Sequence, residues 1–230
     1  MSLTPDLHNN PPRTFVRRQG RITQAQRRAL QTHSDLLIEN GHGGVLQVHE
    51  LFGRRAPLWL EIGFGNGAIL AALAASKPDH DFLGIEVHRP GIGRLLLAIE
   101  KQQLRNIRIV TSDAVEFVGP RIAAASVSRI LILFPDPWPK KRQRKRRMLQ
   151  PAFAQMLANK LLPGGVLHLA TDWPEYAEQM LEVLGNVAHL RNCGGENRFA
   201  AAPDYRVPTR FELRGRRLGH PVQDLLFERI

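Results

Sequence analysis

The chain has 230 residues, 43% of them apolar, enough for the core of one α/β domain with a short extension and too many for a chain disordered throughout. Its formal charge is +11, from 32 Lys and Arg against 21 Asp and Glu, and a protein this basic usually meets a polyanion. A single cysteine, Cys193, excludes an internal disulfide and a cysteine zinc site, the nine scattered histidines show no HExxH-type pairing, and no run of about 18 apolar residues offers a membrane span.

In chain order, residues 1–25 are polar, proline-bearing (Pro5, Pro11, Pro12) and basic (Arg13, Arg17, Arg18, Arg21). They read as a flexible basic arm and not as a secretory signal, and residues 26–230 read as a single domain. Cysteine usage suits a reducing cytoplasm. Residues 26–57 give only weak helical signals, broken by Gly41, Gly43 and Gly44. The pattern then sharpens. Short apolar runs at 58–62, 82–87, 107–111, 127–134 and 166–170 predict buried parallel strands, with two more at 187–192 and 225–230. Helices are expected at 68–75, 93–103, 149–161 and 175–184, the third stopped by Pro163-Gly164-Gly165. Strands alternating with helices predict an α/β fold: a doubly wound, mostly parallel, seven-stranded sheet with helices on both faces.

Ligands of such sheets sit beyond the carboxyl ends of the strands. Each of the first five strand ends carries a carboxylate: Glu61, Glu86, Asp113, Asp136 and Asp172. Glu61-Ile-Gly63-Phe-Gly65-Asn-Gly67 leaves the first strand and opens the first helix, where glycines permit a tight turn and a close ligand. Gly63, Gly65 and Ala68 also match the dinucleotide pattern G-x-G-x-x-A. Glu61 beside the loop would repel a pyrophosphate yet suits the ammonium of a methionine moiety, which favours S-adenosylmethionine over NAD. On that reading Glu86 accepts from ribose hydroxyls and Asp113 from an adenine amino group, with the N-cap of a following helix as the alternative role of Asp113. His88 reads as a turn residue.

The fourth strand runs into Phe134-Pro135-Asp136-Pro137-Trp138-Pro139, a stiff loop with an aspartate and an aromatic ring, in the manner of the D/N-P-P-Y/F/W element that orients a nucleobase nitrogen. Seven of the next eight residues, Lys140 to Arg147, are cationic. Beside such a loop they suit phosphate contacts, with binding that weakens steeply as salt rises. Asp172 ends the fifth strand and also suits the cap of the helix after Pro174.

The strings EIGFGNG at 61–67, FPDPWPKKR at 134–142 with KRR at 145–147, and Thr209-Arg210-Phe211-Glu212 together resemble the bacterial tRNA (guanine-N7-)-methyltransferase family, over a range from about Arg13 to Ile230. The resemblance implies a Rossmann-like class I methyltransferase that uses S-adenosylmethionine, requires no metal and acts on guanine 46 in the variable loop of tRNA. It implies Glu61, Gly63, Gly65, Gly67, Glu86, Asp113 and Asp136 as cofactor residues, with Asp136 also catalytic. It implies Lys140, Asp172, Thr209, Arg210, Phe211 and Glu212 as substrate contacts. Arg142, Gln143, Arg144, Lys145, Arg146 and Arg147 would form the RNA-interaction segment; Gln143-Arg144 stand where relatives often carry histidines. Glu212 could accept from guanine N1 and N2 hydrogens, and Arg210 could pair with Glu212 or grip a phosphate. No membrane and no obligate protein partner are expected, and the protein would work as a monomer or homodimer. The competing readings are another nucleobase methyltransferase, an NAD-dependent oxidoreductase and a non-catalytic RNA-binding module.

Overall fold

The computed structural model describes residues 20–39, 43–206 and 221–230. One sheet runs through the described chain: β1 (Leu37–Ile38), β2 (Leu58–Ile62), β3 (Asp81–Ile85), β4 (Ile107–Val110), β5 (Val127–Leu133), β6 (Leu161–Thr171), β7 (Leu190–Asn192) and β8 (Gln223–Arg229). Their spatial order is β1-β4-β3-β2-β5-β6-β8-β7. The first six in this order pair in parallel, and β8 then runs antiparallel to both β6 and β7. The strand expected to be the first is thus the fourth from one edge, and the sheet has eight strands rather than seven. The additional one, β1, is a two-residue edge strand and too short for a periodic signal.

Among the described residues seven α-helices accompany the sheet: α1 (Gln24–Thr32), α2 (Val48–Phe52), α3 (Ala68–Ser76), α4 (Arg89–Gln102), α5 (Ala114–Arg121), α6 (Pro151–Lys160) and α7 (Pro174–Gly185). Side chains alternate across β2 to β4, so each strand feeds two cores. Leu58, Leu60, Ile62, Leu83 and Ile85 pack with Phe117 of α5, Phe153 of α6 and Met180 of α7. Trp59, Phe82, Ile107 and Ile109 pack with Ala29 of α1, Leu70 of α3 and Leu95 of α4 on the other face. Burial on both faces is why these strands read as apolar runs rather than as alternating ones.

Two sequence expectations shift. Helix α1 begins at Gln24, inside the stretch read as an arm, because Thr23 and Gln26 form a capping box: the Gln26 amide donates to Thr23 Oγ1 (3.2 Å) and the Thr23 amide to Gln26 Oε1 (2.9 Å). Strand β6 starts at Leu161, before Pro163-Gly164-Gly165. Leu161 pairs with Val127 while Arg129 pairs with Val166, so the proline and glycines form an excursion within the strand, with Gly164 at φ 76°.

The segment from Ala200 to Arg206 is tied to the sheet by a buried polar cluster. Asp224 of β8 takes a 2.8 Å contact from His168 Nε2 and a 2.9 Å hydrogen bond from Arg206 Nη2, while the Tyr205 hydroxyl lies 3.0 Å from His168 Nδ1. Burial pushes the His168 imidazole below its ordinary pKa, against the pull of Asp224. Asp224→Ala would remove the buried carboxylate that meets both Arg206 and His168. The expected loss is about 3–5 kcal/mol, a Tm lower by roughly 6–20 °C in a thermal melt; an unchanged Tm would show that the cluster contributes nothing to stability.

Candidate functional site

Strands β2 to β6 are adjacent and parallel, so their carboxyl ends meet at one edge of the sheet. Read across the sheet, the residues at those ends are Asp113 (β4), Glu86 (β3), Glu61 and the glycine loop (β2), Asp136 (β5) and Asp172 (β6). Four interstrand gaps of ~4.8 Å give this row a span of roughly 19 Å. The five carboxylates expected at strand ends therefore share one rim.

The glycine loop is built for a close neighbour. Gly63, Gly65 and Gly67 take φ of 73°, 57° and 72°, which disfavour any other residue. A Cβ on Gly63 or Gly65 would meet no atom within 4 Å, so the loop faces open space there. The far side is tightly packed: a Cβ on Gly91 of α4 would come 1.9 Å from the Gly65 carbonyl oxygen. The 91–93 glycine spacing in Pro90-Gly91-Ile92-Gly93 was the available signal for this contact, and periodicity alone did not single it out.

Glu86 organises the rim. Its Oε2 accepts from the Gly65 amide (2.8 Å), and its Oε1 from the amides of Val87 (2.7 Å) and His88 (2.9 Å). Three backbone donors fix the carboxylate and leave about one lone-pair site for a ligand hydroxyl. His88 occupies the N-cap position of α4, a turn residue as expected. Glu61 is 3% exposed, and its Oε2 is buried with no hydrogen-bond partner. Burial, and then the charge of Glu86, push its carboxyl up to about 8. An unsatisfied buried carboxyl at a rim lined by glycines suits a cationic group such as a methionine ammonium.

Asp113 does cap a helix, its Oδ1 accepting from the Val115 amide at 2.8 Å at the start of α5. Asp172 does not: the N-cap residue of α7 is Trp173, with no side-chain cap, and Asp172 stays exposed. Asp136 is exposed at the tip of its proline loop. Trp138 is 8% exposed, with the Arg146 guanidinium 3.9 Å from its ring centroid, so it walls the loop rather than offering an open stacking face.

The basic run folds as a short 3-10 helix, Lys141–Arg146, directly after Lys140. Lys140, Lys141, Arg142, Arg144 and Lys145 are exposed and Gln143 half-buried. Arg147 departs from its expected place among the RNA contacts. It is 1% exposed, because its donors are taken inward by Pro137, Gln179 and Glu175. Spacing within a charge run carries no sign of which cation turns inward. Thr209, Arg210, Phe211 and Glu212 lie outside the described residues, as do Arg13, Arg17 and Arg18. Among the described residues no group of three His, Cys, Asp or Glu side chains could hold a metal, and no helix is long and apolar enough to cross a membrane.

The family model described as "Putative methyltransferase" matches residues 55–225. The tRNA (guanine-N(7)-)-methyltransferase of Methylococcus capsulatus is 51% identical over 99% of this chain and 100% of its own length. That of Halorhodospira halophila is 50% identical over 94% of each chain. Among solved structures, the 16S rRNA methyltransferase KamB superposes with a TM-score of 0.58 at 13% identity, over 84% of this chain and 99% of its own. A SAM-dependent methyltransferase from Aquifex aeolicus does so with 0.52 at 15%, over 80% and 88%; likeness at this level speaks for the fold. With near-full-length identity of about one half and the rim set in a methyltransferase fold, the chain belongs to the tRNA (guanine-N(7)-)-methyltransferase family.

Proposed function

We propose that this chain methylates N7 of guanine 46 in the variable loop of tRNA, using S-adenosylmethionine, in the cytoplasm. The observation that carries the reading is the row of five carboxylates along one sheet edge, flanked by an exposed cationic 3-10 helix, in a chain of this family. Residues Glu61, Gly63, Gly65, Gly67, Glu86 and Asp113 form the cofactor side, Glu61 toward the ammonium and Glu86 toward the ribose. Asp136 would contact both the cofactor and the base. Lys140 and Asp172 form the substrate side, the family resemblance assigns Thr209 to Glu212 to the substrate as well, and Arg142, Arg144 and Lys145 receive phosphates.

S-adenosylmethionine supplies the methyl group as a substituent of its sulfonium. Guanine N7 presents a lone pair and no proton, so the protein needs no general base. Its work is to orient the purine and exclude water. As the purine ring gains positive charge, the Asp136 carboxylate at its side stabilises that charge, an effect of a few kcal/mol in a dry site. A carboxylate already in place spends no reorganisation energy at the moment of reaction. Incubating total tRNA with the chain and labelled cofactor, then cleaving with borohydride and aniline, locates the product; label resistant to that cleavage, or placed outside the variable loop, would refute the reading.

Asp136→Ala is expected to keep the fold and lose about 10²-fold in single-turnover rate. A wild-type rate would remove Asp136 from the chemistry.

Glu61 gives a pH signature. With its carboxyl raised from an ordinary 4.5 to about 8, the folded protein holds a proton that the unfolded chain has released. The stability this lends is full below pH 4.5 and is lost as pH rises toward 8. A cationic ligand beside Glu61 favours the carboxylate, so cofactor binding near pH 7 should release up to about one proton. Calorimetry in buffers of different ionisation enthalpy reads this directly, and Glu61→Gln should abolish it. A buffer-independent heat in the unmutated protein would place Glu61 away from the ammonium.

A further inference from the structure

Arg147 closes the cationic run but points into the protein. A guanidinium is buried only where its donors are satisfied and its charge is met. Here Nε donates to the Pro137 carbonyl oxygen (2.8 Å), one terminal nitrogen to Gln179 Oε1 (2.5 Å) and the other to Glu175 Oε1 (2.9 Å). Its face lies 4.8 Å from the centroid of the Tyr176 ring. The Tyr176 hydroxyl in turn accepts from the Leu149 amide at 3.2 Å, and burial pushes its pKa up to about 12.

The loop it holds is poorly able to hold itself. Pro135, Pro137 and Pro139 have no N–H to donate. Phe134 and Trp138 sit at φ 55° and 44°, a region that side chains other than glycine adopt only when their surroundings impose it. At one end, the Phe134 amide is tied to the Ala170 carbonyl (2.7 Å). In the middle, Arg147 grips the carbonyl of the residue next to Asp136. The other arms of the guanidinium end on α7, which starts two residues after Asp172. A single side chain thus links the tip of β5 to the helix leaving the tip of β6. Glu175 also accepts from Arg144 at 2.8 Å on its solvent side, which registers the exposed part of the run to the same clamp.

We infer that Arg147, seated on Glu175 and Gln179, is a positioning residue that sets the Asp136 loop for methyl transfer and is not a phosphate contact. The inference rests on the reading of Asp136 given above. It predicts that Arg147 acts on turnover while the exposed cations act on RNA affinity.

The test uses the full chain with a tRNA transcript at several salt concentrations. Arg147→Lys keeps the charge but lacks the fork that reaches three acceptors at once. It should lower kcat 10–100-fold, leave KM for tRNA within threefold, leave the salt slope unchanged and leave the cofactor Kd within threefold. Gln179→Met, at a half-buried helix position, should lower kcat 3–10-fold with the same split, and it decides the matter if circular dichroism shows that Arg147→Lys does not fold. Neutralising Arg142 and Lys145 should instead raise KM and flatten the salt slope. A raised KM and flattened slope with intact kcat in Arg147→Lys would make Arg147 a phosphate ligand and overturn the inference. Wild-type kcat in Gln179→Met and Arg147→Lys alike would do so too. Failure of the underlying reading is separate: wild-type turnover in Asp136→Ala removes Asp136 whatever the Arg147 variants do.

Discussion

Five neighbouring strands that run the same way must end at the same edge, and this constraint organises everything else in the molecule. A parallel strand is followed by a crossover that returns the chain to the opposite edge, so each of β2 to β5 leaves its loop on one rim and has its next strand start at the other. Residues scattered from Glu61 to Asp172 in sequence become neighbours within roughly 19 Å. The antiparallel strand β8 closes the sheet beyond β6 and brings Asp224 beneath the Ala200–Arg206 segment, which is how the chain's last portion is secured to the same framework.

The rim concentrates like charges, and that is destabilising in isolation. Glu61 feels the charge of Glu86 as well as its own burial, and it responds by holding its proton. Glu86 is relieved by three backbone amides and Asp113 by one. The exposed cations of the 140–145 stretch border the same rim. Such an arrangement has little to offer stability and much to offer a ligand that is cationic at one end and a polyanionic substrate at the other.

Two loops of opposite character frame the site. The glycine loop is shaped by the absence of side chains, at its own positive φ residues and at Gly91, which lets the backbone of α4 approach it. The proline loop is shaped by stiffness and by an outside grip. Two aromatic residues in the left-handed region cost about 1–3 kcal/mol each. A charge-assisted hydrogen bond contributes about 1.5–3 kcal/mol, so the one that Arg147 makes to the Pro137 carbonyl is comparable to the strain at one of these residues.

The sequence alone determined the strand–helix alternation, the parallel sheet and the acidic strand ends, because apolar runs bounded by glycine and proline are local signals of buried parallel strands. Glu61, Glu86, Asp113, Asp136 and Asp172 could be picked out for the same reason: each lies within three residues of the end of such a run. The short elements escaped it. Strand β1 spans two residues and α2 five, neither long enough to build a period, while α5 contains Pro120 and was foreshadowed only by its cap, Asp113. What only the tertiary structure decided was the use of individual side chains. Asp113 and Asp172 both suited a helix cap, yet of the two Asp113 alone caps one, and Arg147 was indistinguishable from its neighbours until Glu175 and Gln179, 28 and 32 residues away, took its donors. Local pattern fixes where a residue lies along an element; which partners meet its donors depends on packing between elements, and that is set only when the chain closes on itself.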